Sequence, residues 1–461
     1  MAQQTASEKK ISGKFIYFFG SFGGILFGYD IGVMTGALPF LVHDWNLTNA
    51  TVIGWITAGV MAGAIFGGAL AGLLSDHLGR RRMILASAIV FVVGSIACGI
   101  VPDGGTLWLI ISRIFLGLAV GAASALVPAY MSELSPAHLR GNLSGLNQTM
   151  IVSGMLLSYI VDYILKDLPH EWAWRTMLIA AAVPAIILFL GVLRLPESPR
   201  FLIRKGDEAG ARKVLGYIRS PEEVEAEIAE IKTTAAEESR AAHAVNWGSL
   251  FSSRYRYLVM AGVGVAAFQQ FQGANAIFYY IPLIVEKATG QAAGEALMWP
   301  IIQGVILVLG SLLFIAIAEK INRKTLIMVG GSVMALSFIL PSIINWVMPG
   351  AHPMMIVVFL SIYVAFYSFT WAPLTWVIVG EIFPLAIRGR ASGIASSCNW
   401  IGSFLVGLIF PIMTVHMSQE FVFLIFGIIC VLGVVFVKFA VPETRGRTLE
   451  EIEEHAAQRA K

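Results

Sequence analysis

Apolar residues run in long blocks along this chain, and polar ones are confined to the gaps between them. Twelve blocks fall at 15–41, 50–75, 83–101, 107–131, 141–165, 174–194, 256–288, 296–318, 325–347, 353–380, 391–415 and 420–441. About 20 mostly apolar residues carry a helix across a bilayer, so the pattern predicts an all-α polytopic membrane protein with twelve transmembrane helices. Placing the N-terminus inside leaves only Lys166, Arg175 and Lys287 in loops on the outside. Basic loops favour the cytoplasmic side, so both termini are expected there. The polar segment 1–14 leads into a block too long for a signal sequence and without a small-residue cleavage site, which reads as a retained span.

One polar stretch interrupts the alternation, from Arg194 to Tyr255. Its Pro221-Glu-Glu-Val-Glu-Ala-Glu-Ile-Ala-Glu-Ile sets apolar residues at helical spacing and predicts short cytoplasmic helices. The expected organisation is a cytoplasmic N-terminus at 1–14, a six-helix half at 15–194, linker helices at 195–255, a second six-helix half at 256–441 and a tail at 442–461. The tail reads as a capped amphipathic helix, with Thr448 as N-cap and Glu451 three residues later.

Composition agrees. Of 461 residues 57% are hydrophobic and 13% charged, against about 25% charged in soluble domains, and the mean hydropathy is +0.75. Cys98, Cys398 and Cys430 all lie in apolar blocks and form no disulfide framework or metal cluster. There is no phosphate loop and no nucleophile elbow, and the eight histidines are scattered without metal-ligand spacing. An enzyme, a metal site and a nucleic-acid partner are therefore not expected. Gly63-x-x-x-Gly67 and Gly68-x-x-x-Gly72 read as stripes for close helix packing.

The chain repeats itself. Asp76-His-Leu-Gly-Arg-Arg-Arg82 recurs loosely as Glu319-Lys-Ile-Asn-Arg-Lys324, 243 residues on; Glu133-Leu-Ser-Pro-Ala-His-Leu-Arg-Gly141 recurs as Glu381-Ile-Phe-Pro-Leu-Ala-Ile-Arg-Gly389, 248 on; Pro196-Glu-Ser-Pro-Arg200 echoes Pro442-Glu-Thr-Arg445, 246 on. Three matches at nearly one offset, all on the expected cytoplasmic side, predict two parallel six-span halves.

With Gln269-Gln-Phe-Gln-Gly-Ala-Asn275 in span 7 and Trp371-Ala-Pro-Leu-Thr-Trp376 in span 10, these motifs give the chain a family likeness. It resembles a sugar porter of the major facilitator superfamily, of the bacterial proton–monosaccharide symporter kind, from about Phe15 to the tail. Asn322 departs from the Gly usual in the second loop motif, and Ala372 from the Gly that many relatives have between Trp and Pro. The resemblance implies alternating access, a pentose or hexose substrate, no cofactor other than the proton as coupling ion, function as a monomer in membrane lipid, and a plasma-membrane location.

Asp30 is an acid inside span 1, and such a charge is costly enough to mark a pathway or proton site. Fifteen residues of helix put it about 22 Å up a core about 30 Å thick, roughly 8 Å below the outer face. Arg113, entering from outside on span 4, lies about 9 Å below the same face. The two charges share one level, and a conformational change that alters their separation changes the proton affinity of Asp30. The resemblance adds that proton-coupled sugar porters tend to have Asp after the Gly-Tyr of span 1. Some symporters also carry an acid in span 6, where Arg175 to Leu195 has none. A static Asp30–Arg113 pair is the alternative, and with it a facilitative uniporter; a transporter-like sensor is the reading outside transport.

A sugar site needs neutral hydrogen-bonding groups and an aromatic face. Span 7 offers Gln269, Gln270 and Asn275, with Gly273 placed to unwind the helix between the last two, and Tyr279, Tyr280 and Pro282 beyond. Gln148 on span 5 and Asn399 on span 11 are repeat counterparts about 12–14 Å from the cytoplasmic face. By resemblance, Trp376 first and Trp371 second cap the sugar from below, and Phe27, one turn before Asp30, is a contact candidate. At the cytoplasmic ends Asp76, Arg80, Glu133, Arg140, Glu319, Arg323, Glu381 and Arg388 are expected to form a gate that latches the halves together on the inside and must break for inward opening; the resemblance makes it the gate of the outward-facing state.

Overall fold

The computed structural model describes residues 12–135, 140–244, 246–253, 255–348, 354–384, 386–447 and 451–452, with the backbone alone for 140–145 and 237–244. The predicted tail helix therefore lies outside the described residues except for Glu451 and Ile452. Among those described, eleven helical stretches are long and apolar enough to cross a membrane. The twelfth crossing, span 7, is two helices, Arg256–Phe271 and Ala274–Thr289, each too short alone.

Local chemistry sets the ends of the spans. Span 2, Ala50–Leu78, starts where the Asn49 side chain accepts from the N–H groups of Thr51 (2.9 Å) and Val52 (3.3 Å). It ends at Gly79, whose φ of 97° starts span 3, Arg80–Gly99, without a loop. The Glu197 carboxylate occupies the N-terminus of span 3, accepting from the N–H groups of Arg80 (2.9 Å) and Arg81 (3.1 Å). An anion there meets the positive end of the helix dipole. A Cβ on Gly79 would stand 2.3 Å from that carboxylate, so the position excludes a side chain twice over.

The same construction recurs at span 9, Arg323–Val347, where Glu443 accepts from the N–H groups of Arg323 and Lys324, each at 3.0 Å. The two motifs that repeat at a common offset thus perform one structural job in each half. Of the glycine stripes, Gly63 and Gly67 press on span 4, Thr106–Leu134, where a Cβ would meet the carbonyls of Ile114 (2.0 Å) and Leu118 (2.2 Å). In the second stripe, a Cβ on Gly68 would touch the Gly121 carbonyl of span 4 at 3.4 Å, while among the described residues nothing lies within 4 Å of one on Gly72, which corrects the sequence reading at Gly72 alone.

Linker helices Pro199–Arg204, Glu208–Leu215 and Pro221–Ala244 follow span 6. Leu215, Val224 and Ile228 form a small core among them, and Arg219 donates to the Leu134 carbonyl (3.3 Å), tying the linker to the end of span 4. Arg390 of span 11 lies over the Trp247 ring at 5.8 Å, tying the linker to the second half.

At the end of the bundle away from the linker the halves are in contact. Thr35 of span 1 donates to the Phe278 carbonyl (2.8 Å), His43 meets Glu286 (2.7 Å), and the Tyr280 hydroxyl bonds Thr57. Trp55 and Phe404 pack ring to ring at 5.3 Å. The bundle is closed at that end.

Candidate functional site

Span 7 breaks at Gln272 and Gly273, the latter at φ 89°. That conformation costs about 1–2 kcal/mol for a residue with a Cβ, and Phe426 leaves no room for one, at 2.8 Å. The break turns Asn275 back toward Gln270, whose side-chain oxygen accepts from the Asn275 amide at 2.8 Å. In a straight helix the two would point about 140° apart.

Around this break the predicted amides gather. Asn399 of span 11, Arg388–His416, donates to the Ala266 carbonyl (2.8 Å) and to the Gln269 side-chain oxygen (2.7 Å). Gln269 donates to the backbone carbonyls of Trp371 (3.2 Å) and Ala372 (2.9 Å). Gln270 reaches Asn399 at 3.4 Å, and Asn275 also bonds the Ser403 hydroxyl. Four amides and a hydroxyl thus converge where spans 7, 10 and 11 meet, each able to donate and accept. Ser403 was absent from the sequence reading, although it follows Asn399 by one helical turn and so shares its face.

Gln148 is half-buried on span 5 in the first half and stands outside this hydrogen-bonded cluster. Phe27 packs on Trp400 with ring centroids 5.4 Å apart, joining span 1 to the residue beside Asn399. Trp400 is a second aromatic that the sequence reading passed over.

Span 10 is also broken, at Thr370, into Met354–Phe369 and Trp371–Ile382. Pro373 has no N–H to give to Phe369, which removes the hydrogen bond that would bridge the two pieces. The break separates the roles of the two tryptophans. Trp376 is 42% exposed, whereas Trp371 is fully buried. The Trp371 indole nitrogen lies 2.8 Å from where a Gly331 Cβ would be, and the ring edge 3.4 Å from that of Gly433. The expectation of a sugar-facing Trp371 ring is thereby corrected: two glycines on spans 9 and 12 make the slot that holds it, and it presents its backbone carbonyl, not its indole, to Gln269.

Asp30 and Arg113 form a buried ion pair, 2.7 Å from Oδ1 to Nη1, 3% and 1% exposed. Arg113 also donates through Nε to the Ile56 carbonyl (3.2 Å), while its Nη2 is buried without a partner among the described residues. Tyr279, on the second piece of span 7 in the other half, is buried and lies within electrostatic range of both charges.

At the linker end, Arg80 pairs with Asp76 (3.0 Å) and Glu133 (3.2 Å), and Arg204 with Asp76 (2.9 Å). Arg323 pairs with Glu319 (3.2 Å) and Glu381 (3.5 Å). Ser198 bonds Glu133, and Thr444 donates to Glu381 at 2.6 Å. The two clusters correspond in Arg80 and Arg323, Glu133 and Glu381, and Ser198 and Thr444, each built from one half and the linker or tail segment that follows it. In this structure, closed at the end away from the linker, the Arg80 and Arg323 pairs stay within their own repeats; the expected latch belongs to the state open to the outside and is broken when the inner side opens. Arg388 donates to the Phe383 carbonyl (3.2 Å) in its own half. The side chain of Arg140 lies outside the described residues. Glu197, Ser198, Glu443 and Thr444 belong to these networks and were read from sequence only as motif letters.

Comparison with known proteins places this geometry. The family described as sugar (and other) transporter matches residues 16–456. The D-xylose transporter of Levilactobacillus brevis is 42% identical over 449 residues, covering 96% of each chain. Glucose transporter GlcP of Staphylococcus epidermidis is 38% identical over 439 residues, 95% of this chain and 96% of that one. Among solved structures, the proton:xylose symporter XylE of E. coli superposes with a TM-score of 0.80 at 30% identity, covering 96% of this chain and 98% of its own. Matched along nearly its whole length in sequence and in fold, this chain belongs to the sugar transporter family of the major facilitator superfamily.

Proposed function

We propose that this sugar transporter is a proton-coupled symporter that imports a monosaccharide, pentose or hexose, by alternating access at the plasma membrane. The observation that carries the reading is the Asp30–Arg113 pair, 2.7 Å apart and buried, with Tyr279 of the opposite half within its electrostatic range. A structural ion pair needs no partner from the moving half. A coupling pair does, because its environment must change when the halves rock. Asp30 takes a proton when the pair loosens in the state open to the outside, and gives it up to Arg113 attraction when the outer side shuts.

The sugar site is assigned to Gln269, Gln270, Asn275, Asn399 and Ser403, with Gln148, Phe27, Trp376 and Trp400 completing it. The end that is closed here is assigned to the outside, with both termini in the cytoplasm and Asp76, Arg80, Glu133, Arg140, Glu319, Arg323, Glu381 and Arg388 assigned to the inner gate, which latches the halves in the state open to the outside. XylE and the Levilactobacillus relative support a pentose, GlcP a hexose. Reciprocal linkage means that a sugar gradient must move protons as a proton gradient moves sugar. In lightly buffered liposomes holding the purified chain, added xylose or glucose should alkalinise the medium; sugar entry with no pH change would make the protein a uniporter. Competition among unlabelled sugars against the one transported then ranks the substrates.

A further inference from the structure

Span 5, Arg140–Leu165, carries an acid that the mechanism above does not use. Asp162 is 0% exposed, and both carboxyl oxygens are buried without a hydrogen-bond partner among the described residues. Span 1 seals it: a Cβ on Gly36 would lie 2.3 Å from Asp162 Oδ2, so helix backbone closes directly over the carboxyl. The titratable groups that face it are Tyr29 on span 1 and Tyr159 one turn earlier on its own helix. Span 8, Met298–Ile317, packs on Tyr159 through Gly304 and brings no titratable residue; its Gln303 amide nitrogen is likewise buried and unpartnered. Beyond the end of span 5, Lys166 pairs with Asp167 (3.7 Å) and lies over the Tyr163 ring, and His170 of span 6 packs on Phe40.

A carboxyl enclosed without a cation or donor is kept as the neutral acid, since the ion would lose its hydration with nothing in return. Three residues from the end of the span, the same carboxyl is within a helical turn of outer water once the cover moves. Part of that cover crosses the halves: Tyr159 lies beside Thr35, which is held to the Phe278 carbonyl at 2.8 Å, and beside Tyr279, both on the second piece of span 7. We infer that Asp162 is a second proton-binding site, which takes a proton from the outside as the outer gate closes and returns it to the outside when the gate opens. This proton is not transported, so it sets the external-pH dependence of closure without adding to the proton:sugar ratio.

The inference rests on the alternating-access reading but not on Asp30 as carrier, and the test separates them by working in Asp30→Asn protein. The outer gate is followed without sugar by the distance between spin labels on the outer ends of spans 1 and 7, as external pH is varied. Uptake of one proton per closure shifts the closed-to-open ratio up to tenfold per pH unit, acid favouring the closed state. Adding Asp162→Asn, a neutral isostere, should flatten that dependence, and Asp162→Glu should keep it; retained sugar exchange shows that each variant is folded. A slope unchanged by Asp162→Asn, or no slope in the Asp30→Asn parent, overturns the inference. Absence of sugar exchange in the unsubstituted protein would instead remove the transport reading itself.

Discussion

Asn399 bonds a backbone carbonyl and the Gln269 side chain at once, so its amide both orients its neighbour and lines the site. Asn399→Ala should weaken sugar binding by about 1–3 kcal/mol, roughly fivefold to a hundredfold or more, read as KM for exchange with the expression level unchanged. The tryptophans should divide differently. Trp376→Ala should raise KM, whereas Trp371→Ala should lower thermal stability by about 3–5 kcal/mol, as for a large core truncation, because its ring fills the slot between Gly331 and Gly433. Equal effects of both on KM would contradict the assignment. The pairing of Asp30 with Arg113 was legible because depth follows from counting residues along a helix. The side on which the Trp371 ring falls was not, since it depends on the break at Thr370. Asp162 shows the same limit. An acid three residues from the end of a span is ordinarily within reach of water, and only the backbone of Gly36 against it reveals the burial.

Among elements, the broken seventh span was legible and the broken tenth only in part. Gly273 lies between residues that must face one another, which forces an interruption there. In span 10 the sequence marks Pro373, while the chain breaks three residues earlier because the proline leaves its acceptor, not itself, unbonded. Gly273→Ala combines a left-handed backbone with a contact at 2.8 Å to Phe426. It should cost about 1–2 kcal/mol from the backbone conformation alone and slow transport more than it weakens binding, measured as melting temperature and as the ratio of exchange rate to KM.

Across the whole molecule, the repeat predicted which loops correspond, and the structure adds what the correspondence does. Glu197 and Glu443 cap spans 3 and 9, while Glu133 and Glu381 hold Arg80 and Arg323, one set per half. That these pairs lie within each repeat here was not legible, because offsets between repeats say which residues are equivalent and not which ones touch. At the other end the halves are held by Thr35, His43 and Tyr280. Tyr280→Phe removes the hydroxyl that bonds Thr57 of the first half. A bond of that kind contributes about 0.5–1.5 kcal/mol, so the open-outside fraction should rise several-fold, seen as faster labelling of a cysteine introduced beside Thr57. Labelling at the parent rate would mean that the outer closure rests on packing alone.

Coupling through Asp30 is the claim on which the account turns, and it is tested most directly in liposomes holding the purified protein with an imposed proton gradient, acid outside. The unsubstituted protein should concentrate labelled sugar above the medium. Asp30→Asn should carry sugar only to the level of the medium, while exchanging it across the membrane at a rate that shows the site intact. Accumulation by Asp30→Asn equal to that of the parent would contradict the account.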